Sequence, residues 1–406
     1  MKTLSLTATR LVLSLAAAGI VGGASVGLVS GTPASAATPV ATTATAAAVD
    51  YKAVATNYAA LVHANYADTL AAAKDLQATI AAFVAAPSAE GLDKARKAWL
   101  DAREFYGQTE AFRFYGGPID DEKGREGQIN AWPLDEAYVD YVTGKPKAGF
   151  VNNTQFKITK AALAKANERG GEENISAGWH AVEFLLWGQD QSETGPGQRS
   201  FEDYVKGKGE NAERRAQYLS TATELLVDDL SAMVKAWEPN AKNYRAKFEK
   251  GDKESVRKII VGLGSLSRGE LSGERMEVAL NSQDQEDEHS CFSDNTHRDV
   301  VNNAKGIQNV WLGQYQKRDG SRLEGPGVRD LVAAKNPALA EKTTAQIAGS
   351  VSGAEAIPAP FDRAIFKGSP GRPAVEKTIA SLVEQSKLLV ESASAVGIAK
   401  LTLVEP

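Results

Sequence analysis

Residues 54–84, VATNYAALVHANYADTLAAAKDLQATIAAFV, repeat apolar side chains at spacings of three and four: Val54, Tyr58, Leu61, Val62, Tyr66, Leu70, Leu76, Ile80 and Phe83. That period puts them on one face of an α-helix, and the alanines at most remaining positions favour the same conformation. Pro87-Ser88 ends the run. Ser88 as N-cap and Glu90 in the first turn predict a second helix, with Leu92, Ala95, Trp99 and Tyr106 on one face, ending before Gly116-Gly117-Pro118.

The same pattern runs outward through the chain. Trp132-Pro133 predicts a helix start over 134–142, and 156–166 reads as a further helix. Ser176 is expected to cap an apolar helix over 177–187 that Gly188 closes, and 212–237 to form a long amphipathic helix stopped by Pro239. Beyond it, 253–266, 269–280, 300–315, 331–347 and 374–396 are helical in period, and no segment alternates as a strand does. The expectation is an all-α chain of two helical-bundle domains in series, 51–240 and 241–406. A length of 406 residues agrees with about two cores.

Composition narrows the function. Hydrophobic residues at 43% and charged residues at 24% suit a folded soluble chain. A formal charge of -5 argues against a nucleic-acid partner, which needs a basic face. The single cysteine, Cys291, can form neither an internal disulfide nor a thiolate-rich metal site. With only four histidines, a metal site must lean on carboxylates.

The N-terminus reads as an export signal. Lys2 and Arg10 are its only charges, an apolar run follows from Leu11 to about Val29, and Ala34-Ser35-Ala36 offers a cleavage pattern. Cleavage after Ala36 would leave a flexible Ala/Thr-rich lead-in, 37–50, and no membrane-spanning segment. No cysteine follows the apolar run, so the chain is not expected to be a lipoprotein. The expected location is the periplasm or the cell surface.

Three constellations could carry chemistry. In Gly178-Trp179-His180-Ala181-Val182-Glu183, His180 and Glu183 are three apart and share a helix face, so both can reach one ion, or simply bond each other. On the second helix, Trp99, Arg103, Tyr106 and Glu110 form one stripe. A carboxylate and a guanidinium there need partners, and Glu110 facing His180 would complete a Glu/His/Glu metal set. Asp135, preferred over Glu136, offers a fourth oxygen. The third is Arg268–Met276, where Glu270 and Glu274 share an α-helical face beside Arg275, followed by an acidic segment with His289, Ser290, Asp294 and His297. A Ser290/His289/Asp294 triad is set aside because no strand–nucleophile–helix elbow surrounds it.

These blocks resemble a known family. Gly178-x-His180-x-x-Glu183 is similar to the G-x-H-x-x-E signature of imelysin-like proteins. Gly269–Met276 and Gln283–Asp299 resemble the iron-regulated protein A branch, as does Trp99-x-x-x-Arg103-x-x-Tyr106-x-x-x-Glu110. The resemblance implies an all-α cell-envelope protein tied to uptake of iron or another divalent metal. Iron is favoured, with zinc or manganese as alternatives, taken as the ion or a chelate, with an envelope transporter or receptor as partner. It makes His180 and Glu183 the signature residues and Glu110 the expected third ligand, beside Asp135 as the fourth oxygen that its position offers; Arg103, Tyr106, Glu274, Arg275, His289 and Ser290 are further cleft candidates. It also carries a metallopeptidase activity, in which His180 and Glu183 would be catalytic, although a standard zinc-peptidase helix has a second histidine. A structural or interaction protein of the envelope, with these pairs merely locking helices, is the third reading.

Overall fold

A computed structural model describes residues 49–404 with the exception of Glu193. The expected leader, 1–36, and the lead-in up to Ala48 lie outside them.

Eight long or central helices build the fold. Helix α1, Tyr51–Ala85, starts where the Asp50 carboxylate accepts from the Ala53 amide. Helix α2, Ala89–Thr109, starts where Ser88 Oγ accepts from Gly91 N, as its sequence predicts. Helix α3, Gly178–Trp187, is buried at all ten positions. Fully burying a large apolar side chain stabilises by roughly 1.5–3 kcal/mol, so a helix apolar everywhere but His180 and Glu183 is driven to the middle of the fold. Helices α4, Ala212–Ala236, and α5, Lys253–Ser265, follow. α5 runs on without a break through a π-helical stretch, Leu266–Glu277, into α-helical Val278–Ser282. Helices α6, Thr296–Leu312, α7, Pro337–Glu355, and α8, Arg372–Ala395, complete the set.

α1 packs on α2 and α4, α2 on α6, and α8 on α7 and on α5 with its π-helical extension, while α5 also reaches α1. One apolar core therefore includes Val54, Trp99 and Leu226 from before residue 240 and Ile259, Trp311 and Leu389 from after it. The described residues make one compact unit, and the division expected near 240 is not a packing boundary.

Several local expectations differ. The helix expected over 134–142 shrinks to Glu136–Val139, because the Asp135 carboxylate caps it from one residue before and Val142 pairs with Lys145. Ser176 does not cap α3. Its hydroxyl donates to Leu163 O, and Ala177 takes the cap position without a side-chain bond. The helix expected over 331–347 divides into Val328–Ala333 and α7, which Asn336 caps with Pro337 at its first position. The tail of the 300–315 helix is instead a strand, Gln314–Gln316, antiparallel to Arg322–Glu324. Gly313 causes this by ending α6 in the left-handed conformation. Among the described residues no helix is long and apolar enough to cross a membrane.

Candidate functional site

The first residue of the Gly178–Glu183 block is explained by backbone. Gly178 has φ of 83°, and a Cβ there would lie 2.4 Å from Ile129 O and 2.7 Å from Gln128 O. Only glycine lets the 128–130 segment press against the start of α3, and that approach brings Asn130 into the site. Gly178→Ala is expected to destabilise the fold by at least about 2 kcal/mol, from positive-φ strain and overpacking. A chemical-denaturation midpoint equal to wild type would contradict it.

His180 and Glu183 meet as their spacing predicts, with Nδ1 2.8 Å from Oε2. The other Glu183 oxygen accepts from Ser293 N at 2.9 Å and Ser293 Oγ at 2.7 Å, so both oxygens are engaged. The far side of the His180 ring points at the second half of the chain. His180 Nε2 lies 3.3 Å from His289 Nε2, and the ring centroids are 4.8 Å apart. The 269–299 block thus shares one site with His180.

His289 is held from every side. Its Nδ1 lies 3.4 Å from Asp299 Oδ2 and 3.4 Å from Arg275 Nη1. Its Nε2 lies 3.3 Å from Asn130 Nδ2, and the Trp132 ring packs edge-on to it. Asp299 Oδ2 accepts from Ser290 Oγ at 2.5 Å, and Oδ1 accepts from Arg103 Nε and Nη2 at 3.2 and 2.8 Å. Arg103 also donates to Asn130 Oδ1 at 2.6 Å, and its guanidinium stacks among Trp99, Tyr106 and Trp179. His180, Glu183, His289, Arg103, Asp299 and Asn130 are each 2% exposed or less.

Burial sets the protonation. Desolvation, reinforced by Arg103 at His180 and by Arg275 at His289, holds both imidazoles well below their ordinary pKa. Desolvation pushes Glu183 up to about 8 against the pull of the Ser293 hydrogen bonds. The site is therefore built around neutral imidazoles and one proton shared with Glu183. With that proton on Glu183 the chain is complete: the carboxyl donates to His180 Nδ1, and His180 Nε2–H donates to His289 Nε2.

Glu110 takes no part in this chain. Its Oε2 accepts from Arg113 Nη1 at 2.6 Å and Arg275 Nη2 at 2.8 Å, and its Oε1 lies 3.4 Å from Asn130 Nδ2. The expected Glu110/His180/Glu183 set is not assembled, and among the described residues no three His, Cys, Asp or Glu side chains are grouped to hold an ion. Asp135 is exposed, spent on its helix cap. Glu274 is exposed as well. In the π-helical winding it is Arg275, five residues on, that returns to Glu270, with Nη2 2.7 Å and Nε 3.0 Å from Oε1. Tyr106 and Ser290 are buried beside Arg103 and Asp299. His297 turns away to Asp294 O at 3.1 Å.

Asn130 is a site residue that no sequence pattern marks, and Ser293 and Asp299, within the Gln283–Asp299 block, join the site in roles the sequence does not assign. Asp299 alone carried a signal, as a carboxylate in the first turn of a helix beside a histidine-bearing segment.

The fold and the site define a class: an all-α protein in which two segments distant in sequence bring together a buried histidine pair, each ring beside a carboxylate. The imelysin family model (Peptidase_M75) matches residues 62–389, and the chain belongs to that family. Iron-regulated protein A of Synechococcus elongatus is 26% identical over 318 residues, 73% of each chain. Two solved structures share the fold. A candidate iron-regulated protein A precursor from Parabacteroides distasonis has a TM-score of 0.65 at 18% identity, covering 84% of this chain and 94% of that one. An imelysin-like protein from Psychrobacter arcticum has a TM-score of 0.61 at 14% identity, covering 86% and 96%.

Proposed function

We propose that this protein is an exported component of the cell envelope that acts in iron uptake or homeostasis, binding Fe2+ or another divalent metal, as the ion or a chelate, between His180 and His289. One observation carries this reading: the 3.3 Å between the two Nε2 atoms. Two imidazole nitrogens about 2.0–2.1 Å from one ion at a near-tetrahedral angle lie roughly 3.3–3.4 Å apart. Glu183 and Asp299 sit on the opposite nitrogens, where carboxylates orient metal-bound imidazoles. Water or the donors of a chelate would fill the remaining positions. An ion at Nε2 displaces the proton between the rings, so uptake releases a proton. The name of the Synechococcus relative supports the link to iron.

Anaerobic isothermal titration with Fe2+, alongside Zn2+ and Mn2+, tests the site. One ion per chain is expected, with affinity falling at least tenfold in His180→Ala and again in His289→Ala. Undiminished binding in both variants would remove the pair from the argument.

The peptidase name of the family model supports a second reading, hydrolysis with Glu183 as base. The engagement of both Glu183 oxygens weighs against it. Chelator-sensitive casein cleavage that is lost in Glu183→Gln would favour hydrolysis over binding.

A further inference from the structure

A basic face stands on an otherwise acidic protein. Residues 235–258 hold eight lysines and arginines against four acids, a net charge of +4 where the whole chain carries -5. Two of those acids are held by arginines: Glu249 Oε1 lies 2.8 Å from Arg245 Nε, and Glu254 Oε1 lies 2.6 Å from Arg257 Nη2. Lys242, Lys247, Lys250 and Lys253 are exposed, on a short helix, Tyr244–Phe248, on the start of α5 and in the turns around them. Lys242, Lys247 and Lys250 line one open hollow of about 500 Å³, with the Tyr244 ring in its wall and Lys258 Nζ 5.8 Å from that ring.

The face lies where the chain enters the fold. Phe248 stacks on Tyr58 of α1 with 5.3 Å between ring centroids, so the short helix lies against the first turns of α1. At the same end, a Cβ on Gly397 would lie 3.5 Å from Lys253 Nζ and 3.9 Å from the hydroxyl of Tyr51, the first residue of α1. Lys52, next to it, is exposed. The sequence ahead of Tyr51 reads as an export leader, and an exported chain leaves its leader at a membrane surface.

We propose that this face, Lys242, Lys247, Lys250 and Lys253 with Lys52 beside them, rests on the anionic headgroups of a phospholipid bilayer. A specific small anion calls for buried donors converging on one point. Exposed ammonium groups spread over two helices and their turns instead suit the extended negative potential of a lipid surface. Tyrosine is enriched where proteins meet headgroups, which is what the Tyr244 ring would meet in the hollow. The acidic remainder of the chain is repelled from the same surface, so the attraction also orients the molecule with this face toward the lipid. The proposal shares with the functional reading only a place in the envelope and is indifferent to metal at the histidine pair.

Co-sedimentation of the chain from Ala37 onward with phospholipid vesicles tests it. Wild type and His180→Ala are both expected to bind vesicles rich in phosphatidylglycerol at low salt and to ignore pure phosphatidylcholine. Both should be released as NaCl rises to about 0.3 M, because salt screens exposed charges. The quadruple variant Lys242→Glu, Lys247→Glu, Lys250→Glu, Lys253→Glu is expected to bind at least about tenfold more weakly. A quadruple glutamine variant, expected to bind severalfold more weakly, keeps the test open if the first does not fold. Wild type that stays in the supernatant with anionic vesicles, or undiminished binding in the variants, overturns the proposal. Wild type retained by soluble polyphosphate but not by vesicles would assign the face to an anionic polymer and overturn it equally.

Discussion

Asp299→Asn is expected to destabilise the protein by about 3–5 kcal/mol at neutral pH, the loss typical when one partner of a buried ion pair is removed. Arg103 is 1% exposed, and two of its nitrogens donate to Asp299 Oδ1. Its other direct contacts are the rings of Trp99, Tyr106 and Trp179 and the amide of Asn130, and burial keeps the neighbouring Glu183 carboxyl protonated at neutral pH. Asparagine keeps the shape and leaves a guanidinium buried without a counter-charge. Burial alone would raise the Asp299 carboxyl, but Arg103 and His289 outweigh it and hold the group well below the usual carboxylate range. A folded-state pKa below the unfolded value contributes stability above about pH 4 that is lost as pH falls further. The gap between wild type and Asp299→Asn should therefore be full at pH 7 and narrow toward pH 3. Urea melts at the two pH values measure it, and coincident curves at pH 7 would refute the argument.

Arg275→Met should cost a similar amount, for the reverse reason. Arg275 is 1% exposed, bonds both Glu110 and Glu270, and donates to Asn303 Oδ1 at 3.1 Å. Without it, three carboxylates, Glu110, Glu126 and Glu270, are left around Arg113 alone. Burial pushes Glu110 up, yet Arg275 and then Arg113 bring it down to about 2. Methionine fills most of the volume, so the expected loss of about 3–5 kcal/mol reports charge rather than a cavity. Adding Glu270→Gln should recover part of it, because one stranded carboxylate is then neutral. A double variant no more stable than Arg275→Met would mean that packing, not charge, dominates.

Much of the scaffold was legible from local chemistry. The Ser88 cap, the Gly188 stop, the period of α1 and the apolar run of α3 depend on residues within one or two turns of each other. So does the His180–Glu183 bond, since a spacing of three on a helix aligns two side chains whatever surrounds them. Local signals mislead where they meet a stronger tertiary competitor. Ser176 was drawn to Leu163 O, and Glu274 lost its predicted face because the backbone widened to π-helical winding at Leu266–Glu277.

By itself, then, the sequence determined an all-α chain, the bounds of α1, α3, α4 and α8 to within a few residues, and the pairing of His180 with Glu183. Tertiary structure decided what those groups face. It set His289 against His180 across 109 positions, gave Arg103 to Asp299 across 196, and committed Glu110 to two arginines rather than to an ion. These pairings follow from how α2, α3, α5 and α6 pack, and a periodicity that records which face of a helix is buried does not record what that face meets.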